Sequence, residues 1–231
     1  MTAVISWSGG KDSCLALYRA VSAGVRVTHM LNLIGEDSRR SMSHGLPPEL
    51  IGAQARALGI ELVQIGVSWD TYEREFCRTL ADLKAKGVDT LVTGDIDLPA
   101  SREWNERICS EIGIGLRMPL WGEAPEAIMR EFLEAGFQAV VVCCKGSALD
   151  AGWIGRGVDG DFAKDLLQDD GLPVHLCGEG GEYHTVVVDG PLFGRSVRLL
   201  DAACVHKDGY WFLDIRDFDV EAKPCREGTQ R

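Results

Sequence analysis

A glycine-rich segment near the amino terminus, Ser8–Ser13, has the sequence SGGKDS and the composition of an anion-binding loop. It stands between an apolar run and a helical pattern, and a helix N-terminus attracts negative charge through its free backbone N–H groups. Glycines let backbone approach an anion, serines donate hydrogen bonds, and Lys11, which we expect to be exposed, adds positive charge. The segment therefore predicts a phosphate site. A plain turn capped by Ser13 is the alternative, but it needs neither glycines nor lysine.

A second glycine-rich segment, Cys177–Thr185, has the sequence CGEGGEYHT. Its three glycines would bring backbone close to a ligand, while the carboxylates of Glu179 and Glu182 and the imidazole of His184 flank them. That combination suits an amine, an ammonium ion or a metal. The alternative is an acidic hairpin turn that leads into the apolar strand that follows.

Two further positions carry polar side chains just after predicted strands. Asp95 and the preceding Gly94 follow the fourth strand, so they should face the same crevice as Ser8–Ser13. There Asp95 would bind a divalent metal or orient a reacting carboxylate, with an ordinary Gly-Asp turn as the alternative. His44 follows the second strand and would either contact a ligand or lie on the surface.

Apolar runs alternate with amphipathic stretches in the first half of the chain, which is typical of strand–helix–strand units. The predicted strands are Ala3–Trp7, Val27–Ile34, Glu61–Val67, Thr90–Thr93 and Leu116–Trp121. The predicted helices are one that begins at Ser13, then Pro48–Leu58, Trp69–Gly87 and Arg102–Ile112. We therefore expect an α/β fold with a doubly wound five-stranded parallel sheet that binds its ligand at the carboxyl ends of the strands.

The pattern changes after residue 121. One helix ends near Gly136, and a very apolar strand covers Ala139–Cys144. Three later segments alternate as antiparallel strands do, namely Val186–Val188, Val197–Leu200 and Tyr210–Ile215. We expect a larger ligand-binding domain over residues 1–121 and a smaller α+β domain, on the substrate side, over residues 122–231.

The overall composition narrows the class of protein. The 231 residues carry a formal net charge of -11, which disfavours a protein that tracks nucleic acid through its phosphates. The apolar runs are too short to cross a membrane and no export signal precedes the first strand, so we expect a cytoplasmic protein. The eight cysteines form no CxxC pair, which disfavours a zinc or iron–sulfur site. A homodimer is an expectation from chain size alone.

The first segment is neither a Walker A sequence nor a dinucleotide fingerprint. SGGKDS instead resembles the pyrophosphate loop (PP-loop) of the N-type ATP pyrophosphatases, whose sheet is of the HUP type, like the adenine nucleotide alpha hydrolases. The resemblance implies cleavage of ATP to AMP and pyrophosphate with Mg²⁺. It implies phosphate binding by six residues, Ser8, Gly9, Gly10, Lys11, Asp12 and Ser13. It also implies a nucleotide contact from Asn32, Leu33 and Gly94, and metal ligation by Asp12 and Asp95.

The two segments together, with Asp189–Phe193 (DGPLF) after the second, resemble the diphthine–ammonia ligase family over nearly the whole chain. The resemblance implies amidation of the diphthine carboxylate on an elongation factor, through an acyl adenylate and ammonia. The implied catalytic residues are Lys11, Asp12, Asp95 and Glu182. The implied substrate contacts are His44, Glu179, Gly180, Gly181, Glu182 and His184.

The acceptor stays open at this point, because Asp95–Ser101 (DIDLPAS) differs from the Ser-x-Tyr-Gln-like segment of the eukaryotic members. Transfer of sulfur or another amine to a different acceptor is one alternative. A nucleotide-binding sensor without turnover is another. The lysine of the first segment and the carboxylates of the second favour catalysis over a sensor.

Overall fold

Two β-sheets form the framework of the protein. The structure, a computed structural model, describes residues 1–37, 39–42, 44–168 and 174–223. One sheet has five parallel strands and the other has four antiparallel strands. Within the described ranges no helix is long and apolar enough to span a membrane.

The five-stranded sheet has the strand order β3-β2-β1-β4-β5. Its strands are β1 (Thr2–Ser6), β2 (Arg26–Gly35), β3 (Glu61–Val67), β4 (Thr90–Val92) and β5 (Gly115–Arg117). Helices cover both faces, which is why the central strands are apolar on both sides. The chain leaves β1 toward β2 and later returns to the other side of β1 with β4, so a crevice opens where the strand order reverses. The predicted α/β fold with a doubly wound sheet is confirmed.

Six α-helices and one short 3₁₀ helix, Ala151–Trp153, accompany the sheets in the described part of the chain. The α-helices are α1 (Lys11–Ser22), α2 (Pro48–Leu58), α3 (Tyr72–Ala85), α4 (Pro99–Ile112), α5 (Pro125–Glu134) and α6 (Gly160–Gln168). Helix α1 begins two residues before the predicted Ser13, because extended Gly10 is its N-cap, with φ −89° and ψ 178°. Helix α4 begins before the predicted Arg102, because proline is well accommodated in a first turn. Helix α6 was not predicted.

The four-stranded sheet has the order β7-β6-β9-β8. Its strands are β6 (Gln138–Lys145), β7 (Tyr183–Asp189), β8 (Arg195–Lys207) and β9 (Tyr210–Ala222). Strands β8 and β9 are much longer than predicted. From Asp201 onward β8 is largely exposed, so the apolar alternation disappears while the backbone pairing with β9 continues.

One apolar core extends across both sheets. It joins Trp7 beside β1 and Leu15 of α1 to Val141 of β6 and Val186 of β7. A second, smaller core lies under α3 and α4 on the opposite face of the parallel sheet. Because the larger core is shared, the two sheets are held in a close mutual arrangement. The division into domains at residues 121 and 122 stays a prediction.

Gln54, a fully buried side chain of α2, connects the two sheets through hydrogen bonds. Its Nε2 donates to Gly9 O at 3.0 Å and to Val187 O at 2.7 Å, and its Oε1 accepts from Trp7 Nε1 at 3.0 Å. In addition, Val187 N–H donates to Gly9 O at 2.9 Å. The turn after β1 is therefore bound directly to strand β7.

We expect Gln54→Ala to lower the free energy of unfolding by about 2–4 kcal/mol, because it leaves several buried polar groups without partners. Urea-induced unfolding measures the change. Gln138→Ala, at an exposed position of β6, is the matched control and should change stability little. Equal effects of the two substitutions would contradict this role for Gln54.

Candidate active site

A pocket of about 250 Å³ opens at the carboxyl ends of β1, β2 and β4. Both glycine-rich segments contribute to its wall, so the structure brings them together. Its lining residues are Ser6, Trp7, Ser8, Lys11, Asp12, Ser13, Asn32, Leu33, Met42, His44, Tyr72, Thr93, Gly94, Asp95, Cys177, Gly178, Glu179, Tyr183, His184 and Thr185. The crevice at the strand-order reversal is therefore the place where most of the predicted residues meet.

The first segment wraps the N-terminus of α1. Ser8 Oγ accepts from Gly10 N–H at 3.3 Å and donates to Ser13 Oγ at 3.2 Å, while Ser13 Oγ donates to Gly10 O at 3.0 Å. These bonds form a tight turn that directs the first turn of α1 toward the pocket. The first N–H groups of a helix have no partner within the helix, so this end of α1 carries positive partial charge. The N–H of Lys11 itself donates to Thr185 Oγ1 at 3.1 Å.

Gly9 and Gly10 do not line the pocket. Gly9 has φ +86°, and a Cβ there would lie 2.7 Å from Ile51 Cδ1. A Cβ on Gly10 would lie 2.5 Å from His44 Cε1. The two glycines thus allow the turn to pack against α2 and His44. Their phosphate contact stays a prediction that rests on backbone groups alone.

The prediction that Lys11 is exposed is wrong. Its side chain is 5% exposed and lies between the two glycine-rich segments. Its Nζ donates to Asp12 Oδ2 at 2.9 Å and to Cys177 O, and lies 4.9 Å from the centroid of the Tyr183 ring. Burial by itself lowers the pKa of Lys11, but Asp12, Tyr183 and Cys177 raise it above its ordinary value. The ammonium is therefore charged at all physiological pH values.

Three carboxylates face the same pocket, those of Asp12, Asp95 and Glu179. Glu179 Oε1 accepts from Ile96 N–H at 2.9 Å. Burial, and then the charges of Asp12 and Asp95, raise the pKa of Glu179 from its ordinary 4.5 to about 7. Glu179 consequently gains and loses a proton near neutral pH, which suits a group that exchanges a proton with a ligand.

Asp12 Oδ1 is a buried acceptor with no hydrogen-bond partner among the described residues. The other oxygen of this carboxylate is bound by Lys11. A buried polar atom without a partner calls for a ligand or water. In Asp95, by contrast, Oδ2 accepts from Asn105 Nδ2 at 3.2 Å. Asp12 is thus the carboxylate best prepared to take an additional positive partner.

His44 and His184 form a pair of imidazoles at the wall of the pocket. Their ring centroids are 4.5 Å apart, and His44 Nδ1 donates to Thr185 O at 2.9 Å. Burial is the main cause that lowers the pKa of His44 to about 4 and the pKa of His184 well below its ordinary value. Both rings are therefore neutral near pH 7.

The remaining predicted residues divide into two groups. Asn32, Leu33 and Gly94 line the pocket, and a Cβ on Gly94 would lie 2.8 Å from the carbonyl carbon of Asp12. Gly180, Gly181 and Glu182 lie outside the pocket. Glu182 Oε1 accepts from His175 N–H at 3.1 Å, and this bond holds the second segment in its turn.

Tyr72, Thr93 and Met42 line the pocket but were not recognised in the sequence. All three come shortly after a strand of the parallel sheet, at its carboxyl end. The rule that ligands bind at these ends would have selected them, had it been applied to every strand rather than to polar motifs only.

The described residues contain no group of three or more His, Cys, Asp or Glu side chains arranged to hold a metal ion. The seven cysteines in the described ranges are free thiols, and Cys225 lies outside those ranges. Cys177, inside the second segment, is buried, and burial raises its pKa to about 12. Its thiol is therefore unreactive near neutral pH.

Two family models match successive parts of the chain. The diphthamide synthase N-terminal domain matches residues 1–116, and the diphthamide synthase C-terminal domain matches residues 124–221. The chain belongs to the diphthamide synthase family. Both segments that build the pocket lie within these matched regions, one in each.

Curated relatives of this diphthamide synthase family member carry the name diphthine–ammonia ligase. The Schizosaccharomyces pombe protein is 28% identical over 225 residues, which cover 87% of this chain and 37% of that protein. The Danio rerio protein is 26% identical over 231 residues, with coverage of 87% and 88%. The Homo sapiens protein is 28% identical over 214 residues, with coverage of 82% and 79%. The chain thus spans little more than a third of the fission yeast protein and most of the two vertebrate proteins.

A solved structure from Methanocaldococcus jannaschii, titled a "predicted subunit of tRNA methyltransferase", is also similar. It is 17% identical and has a TM-score of 0.45, with coverage of 81% of this chain and 97% of that chain.

We expect Lys11→Met to lower the free energy of unfolding by about 2–3 kcal/mol, because it leaves the buried Asp12 carboxylate and the Cys177 carbonyl without their cation. Chemical denaturation measures this change. Lys86→Met, at an exposed position after α3, is the matched control and should alter stability little. If Lys11→Met were as stable as the wild type, the ammonium would not hold the two segments together.

Glu179→Gln should change how stability depends on pH. Only the ionised form of Glu179 is disfavoured by burial, so the contribution of Glu179 to wild-type stability falls as pH rises from 4.5 to about 7 and is constant above that. Glutamine keeps an oxygen acceptor for Ile96 N–H and cannot ionise. At about pH 8 the variant should be more stable by about 1–2 kcal/mol, allowing for solvent screening, and the gain should vanish near pH 4.5.

Thermal unfolding across this pH range measures the difference. Glu103→Gln, on the exposed surface of α4, is the matched control. A Glu179→Gln variant whose stability followed the wild-type pH profile would show that the carboxylate titrates equally in the folded and unfolded chains.

Proposed function

We propose that this protein is an ATP-dependent ligase that adenylates the carboxylate of diphthine and transfers ammonia to it. The observation that carries the proposal is the meeting of the two glycine-rich segments in one pocket, through the contact of Lys11 with Cys177. One segment offers groups for a triphosphate and the other offers a carboxylate that titrates near neutral pH. The choice of diphthine as the acceptor rests on the name of the relatives, diphthine–ammonia ligase.

ATP would bind across the carboxyl end of the parallel sheet. The N-terminus of α1 and the ammonium of Lys11 would hold the phosphates, and the backbone of Gly9 and Gly10 would lie beside them. The hydroxyls of Ser8 and Ser13 would turn from their present hydrogen bonds to donate to phosphate oxygens. On the other side of β1, Asn32 and Leu33 of β2 would contact the nucleoside. Gly94 would let the ligand and the start of α1 approach β4 closely.

The donor set of the pocket fits Mg²⁺, a hard cation that takes one or two carboxylates together with phosphate oxygens. Asp12 Oδ1, buried and without a partner in the described ranges, is the first ligand that we assign, and Asp95 is the second candidate. When bound there, the metal would neutralise charge on the phosphates.

The reaction that we propose has two steps. A carboxylate oxygen of the acceptor attacks the α-phosphorus, the bond to the bridging oxygen of the β-phosphate breaks, and an acyl adenylate and pyrophosphate result. Ammonia then attacks the acyl carbon, the bond to AMP breaks, and the amide forms with loss of one proton. Lys11 and the N–H groups of α1 stabilise the charge of the leaving pyrophosphate, so positioning and electrostatics provide most of the acceleration.

We assign the binding of ammonium to Glu179. Its carboxylate lines the pocket, whereas that of Glu182 does not. A pKa of about 7 lets Glu179 hold ammonium when ionised and take up the proton that ammonium loses to become ammonia, while the proton lost as the amide forms passes to solvent. The neutral imidazoles of His44 and His184 complete the wall without adding a competing positive charge. Glu182, with Gly180 and Gly181, would act through the shape of the segment.

The partners that follow from this reaction are ATP, ammonium and an elongation factor that carries diphthine. We place the reaction in the cytoplasm, where translation factors work. A homodimer stays a prediction.

The decisive assay mixes the full chain with ATP, Mg²⁺, ammonium and an elongation factor bearing diphthine. We expect AMP and pyrophosphate in equal amounts, and the mass change of a carboxyl that becomes an amide on the acceptor. Without ammonium the amide should not form, and an elongation factor lacking diphthine should give neither product. Release of ADP instead of AMP, or no amide with all substrates present, would contradict the proposal.

Two variants in the same assay test whether Glu179 binds ammonium. Glu179→Gln should lower the rate of amide formation at least about 10-fold, as loss of an acid–base group typically does. Glu182→Gln is the matched control, with the same change three residues away and outside the pocket, and should retain most of the activity. The reverse order of effects would move the ammonium site to Glu182.

A further inference from the structure

A second cavity of about 380 Å³ adjoins the pocket just described. It lies between the first turns of α3 and α4, and Ser6, Tyr72, Thr93 and Asp95 line both spaces. Neither glycine-rich segment lines it. A ligand in this cavity would therefore reach the first pocket from the side of β4, away from Asn32 and Leu33.

Two aromatic rings form adjacent walls of the second cavity. The ring centroids of Tyr72 and Trp104 are 5.9 Å apart, with an angle of 52° between the ring planes. Phe76 packs behind both rings, at 6.3 Å from Tyr72 and 5.1 Å from Trp104. The two rings thus make a corner that a rounded group can enter and touch on two sides.

The indole of Trp104 is held in place from outside the cavity. Its Nε1 donates to Glu73 Oε2 at 2.8 Å, and Glu73 is in turn paired with Arg107 at 2.7 Å. The only hydrogen-bonding atom of the ring is therefore already engaged. What Trp104 offers a ligand is carbon surface and the negative face of its π-system.

The charge of the cavity is negative. Asp95 is its only charged lining residue in the described part of the chain. Buried Asn105 donates to Asp95 Oδ2 at 3.2 Å and to Ser101 O at 2.9 Å, which holds the carboxylate in position. Burial, and then the nearby Asp95, raise the pKa of Tyr72, so its ring stays neutral.

Thr93 stands at the boundary between the two spaces. Its Oγ1 is buried and has no hydrogen-bond partner among the described residues. A hydroxyl of this kind can donate to an oxygen of a ligand that passes from one space into the other.

We propose that this cavity, bounded by Tyr72, Trp104 and Asp95, binds the quaternary ammonium group of the acceptor. The proposal rests on the proposed function. A quaternary ammonium donates no hydrogen bond, and aromatic faces with a nearby carboxylate are the surroundings that it prefers in proteins. In diphthine the trimethylammonio group is on the carbon next to the carboxylate. A cation lying in the corner against both rings would thus place that carboxylate at Thr93, beside the phosphate segment, and the cavity would select the trimethylated acceptor.

Glycine betaine is the probe for the cavity, because it has a trimethylammonio group one carbon from a carboxylate. Its neutral counterpart, 3,3-dimethylbutanoate, has the same shape with carbon in place of nitrogen. Binding of each to the full chain is measured by NMR, from the shifts of the tryptophan indole N–H signals. We expect betaine to bind roughly 3- to 30-fold more tightly than dimethylbutanoate, the range of one cation–π contact.

Equal binding of the two compounds would overturn the proposal, because the cavity would then recognise shape alone. Displacement of betaine by AMP without Mg²⁺ would also overturn it, since the nucleotide base would then occupy the rings. These comparisons use the wild-type protein, so they do not depend on whether a variant folds.

Substitutions at Tyr72 and Trp104 test whether betaine contacts the rings of these two residues. Tyr72→Leu and Trp104→Leu should each weaken betaine binding roughly 3- to 30-fold, while Tyr72→Phe, which keeps the ring, should bind as the wild type does. Trp69→Leu is the matched control, because Trp69 stacks on Tyr72 at 6.1 Å but is 76% exposed and lines neither space. If the Leu variants kept their melting temperatures and bound betaine normally, the proposal would fail.

Measurements of amide formation distinguish the proposed quaternary ammonium site from the proposed ligase reaction on which it rests. If the wild type forms the amide, Trp104→Leu should raise KM for the diphthine-bearing acceptor by a similar factor with little change in KM for ATP. An active wild type with an unchanged acceptor KM in this variant would reject the cavity and leave the ligase reaction intact. An inactive wild type that still prefers betaine would reject the ligase reaction and leave a quaternary ammonium site.

Discussion

The ammonium group of Lys11 is the interaction on which the rest of the site depends. Lys11 is the first residue of α1. Its ammonium pairs with Asp12 and donates to the carbonyl of Cys177 in the second glycine-rich segment. A charge in a nearly dry position is tolerated only when it is paired, and here the partners come from both halves of the pocket. The same ammonium group therefore lines the pocket and positions the segment that carries Glu179.

Close packing around this cation explains where glycine is required. Gly9, Gly10 and Gly94 each occupy places where a Cβ would meet another atom at 2.8 Å or less. Gln54 satisfies the polar backbone groups that this packing buries, and the apolar core continues across both sheets. The turn after β1 is consequently rigid on the side that faces strand β7.

The electrostatics of the pocket are those of a site prepared for several charged ligands at once. The ammonium of Lys11 stands among carboxylates, and burial raises the pKa of one of them, Glu179, to about 7. Glu179 therefore gains and loses its proton near neutral pH, while Asp12 has a buried oxygen without a hydrogen-bond partner among the described residues. The protein as a whole is acidic, and within the pocket the start of α1 adds positive partial charge to that of Lys11. On the far side of β4, aromatic surface and Asp95 offer a place for a cation instead.

The sequence by itself determined the parallel sheet, most of its helices and the two segments that meet in the pocket, because apolar periodicity and glycine turns are local properties of the chain. The same local signal was lost in the exposed part of β8, where backbone pairing rather than side-chain alternation maintains the strand. The sequence also suggested that Lys11 is exposed, because the residues near it in the chain do not indicate which distant residues bury it. Only the tertiary structure decided that Lys11 is buried, that Glu179 faces the pocket while Glu182 does not, and that Tyr72 and Trp104 form a corner. Each of these depends on contacts between elements distant in the chain, where burial and charge arise from residues that local patterns do not connect.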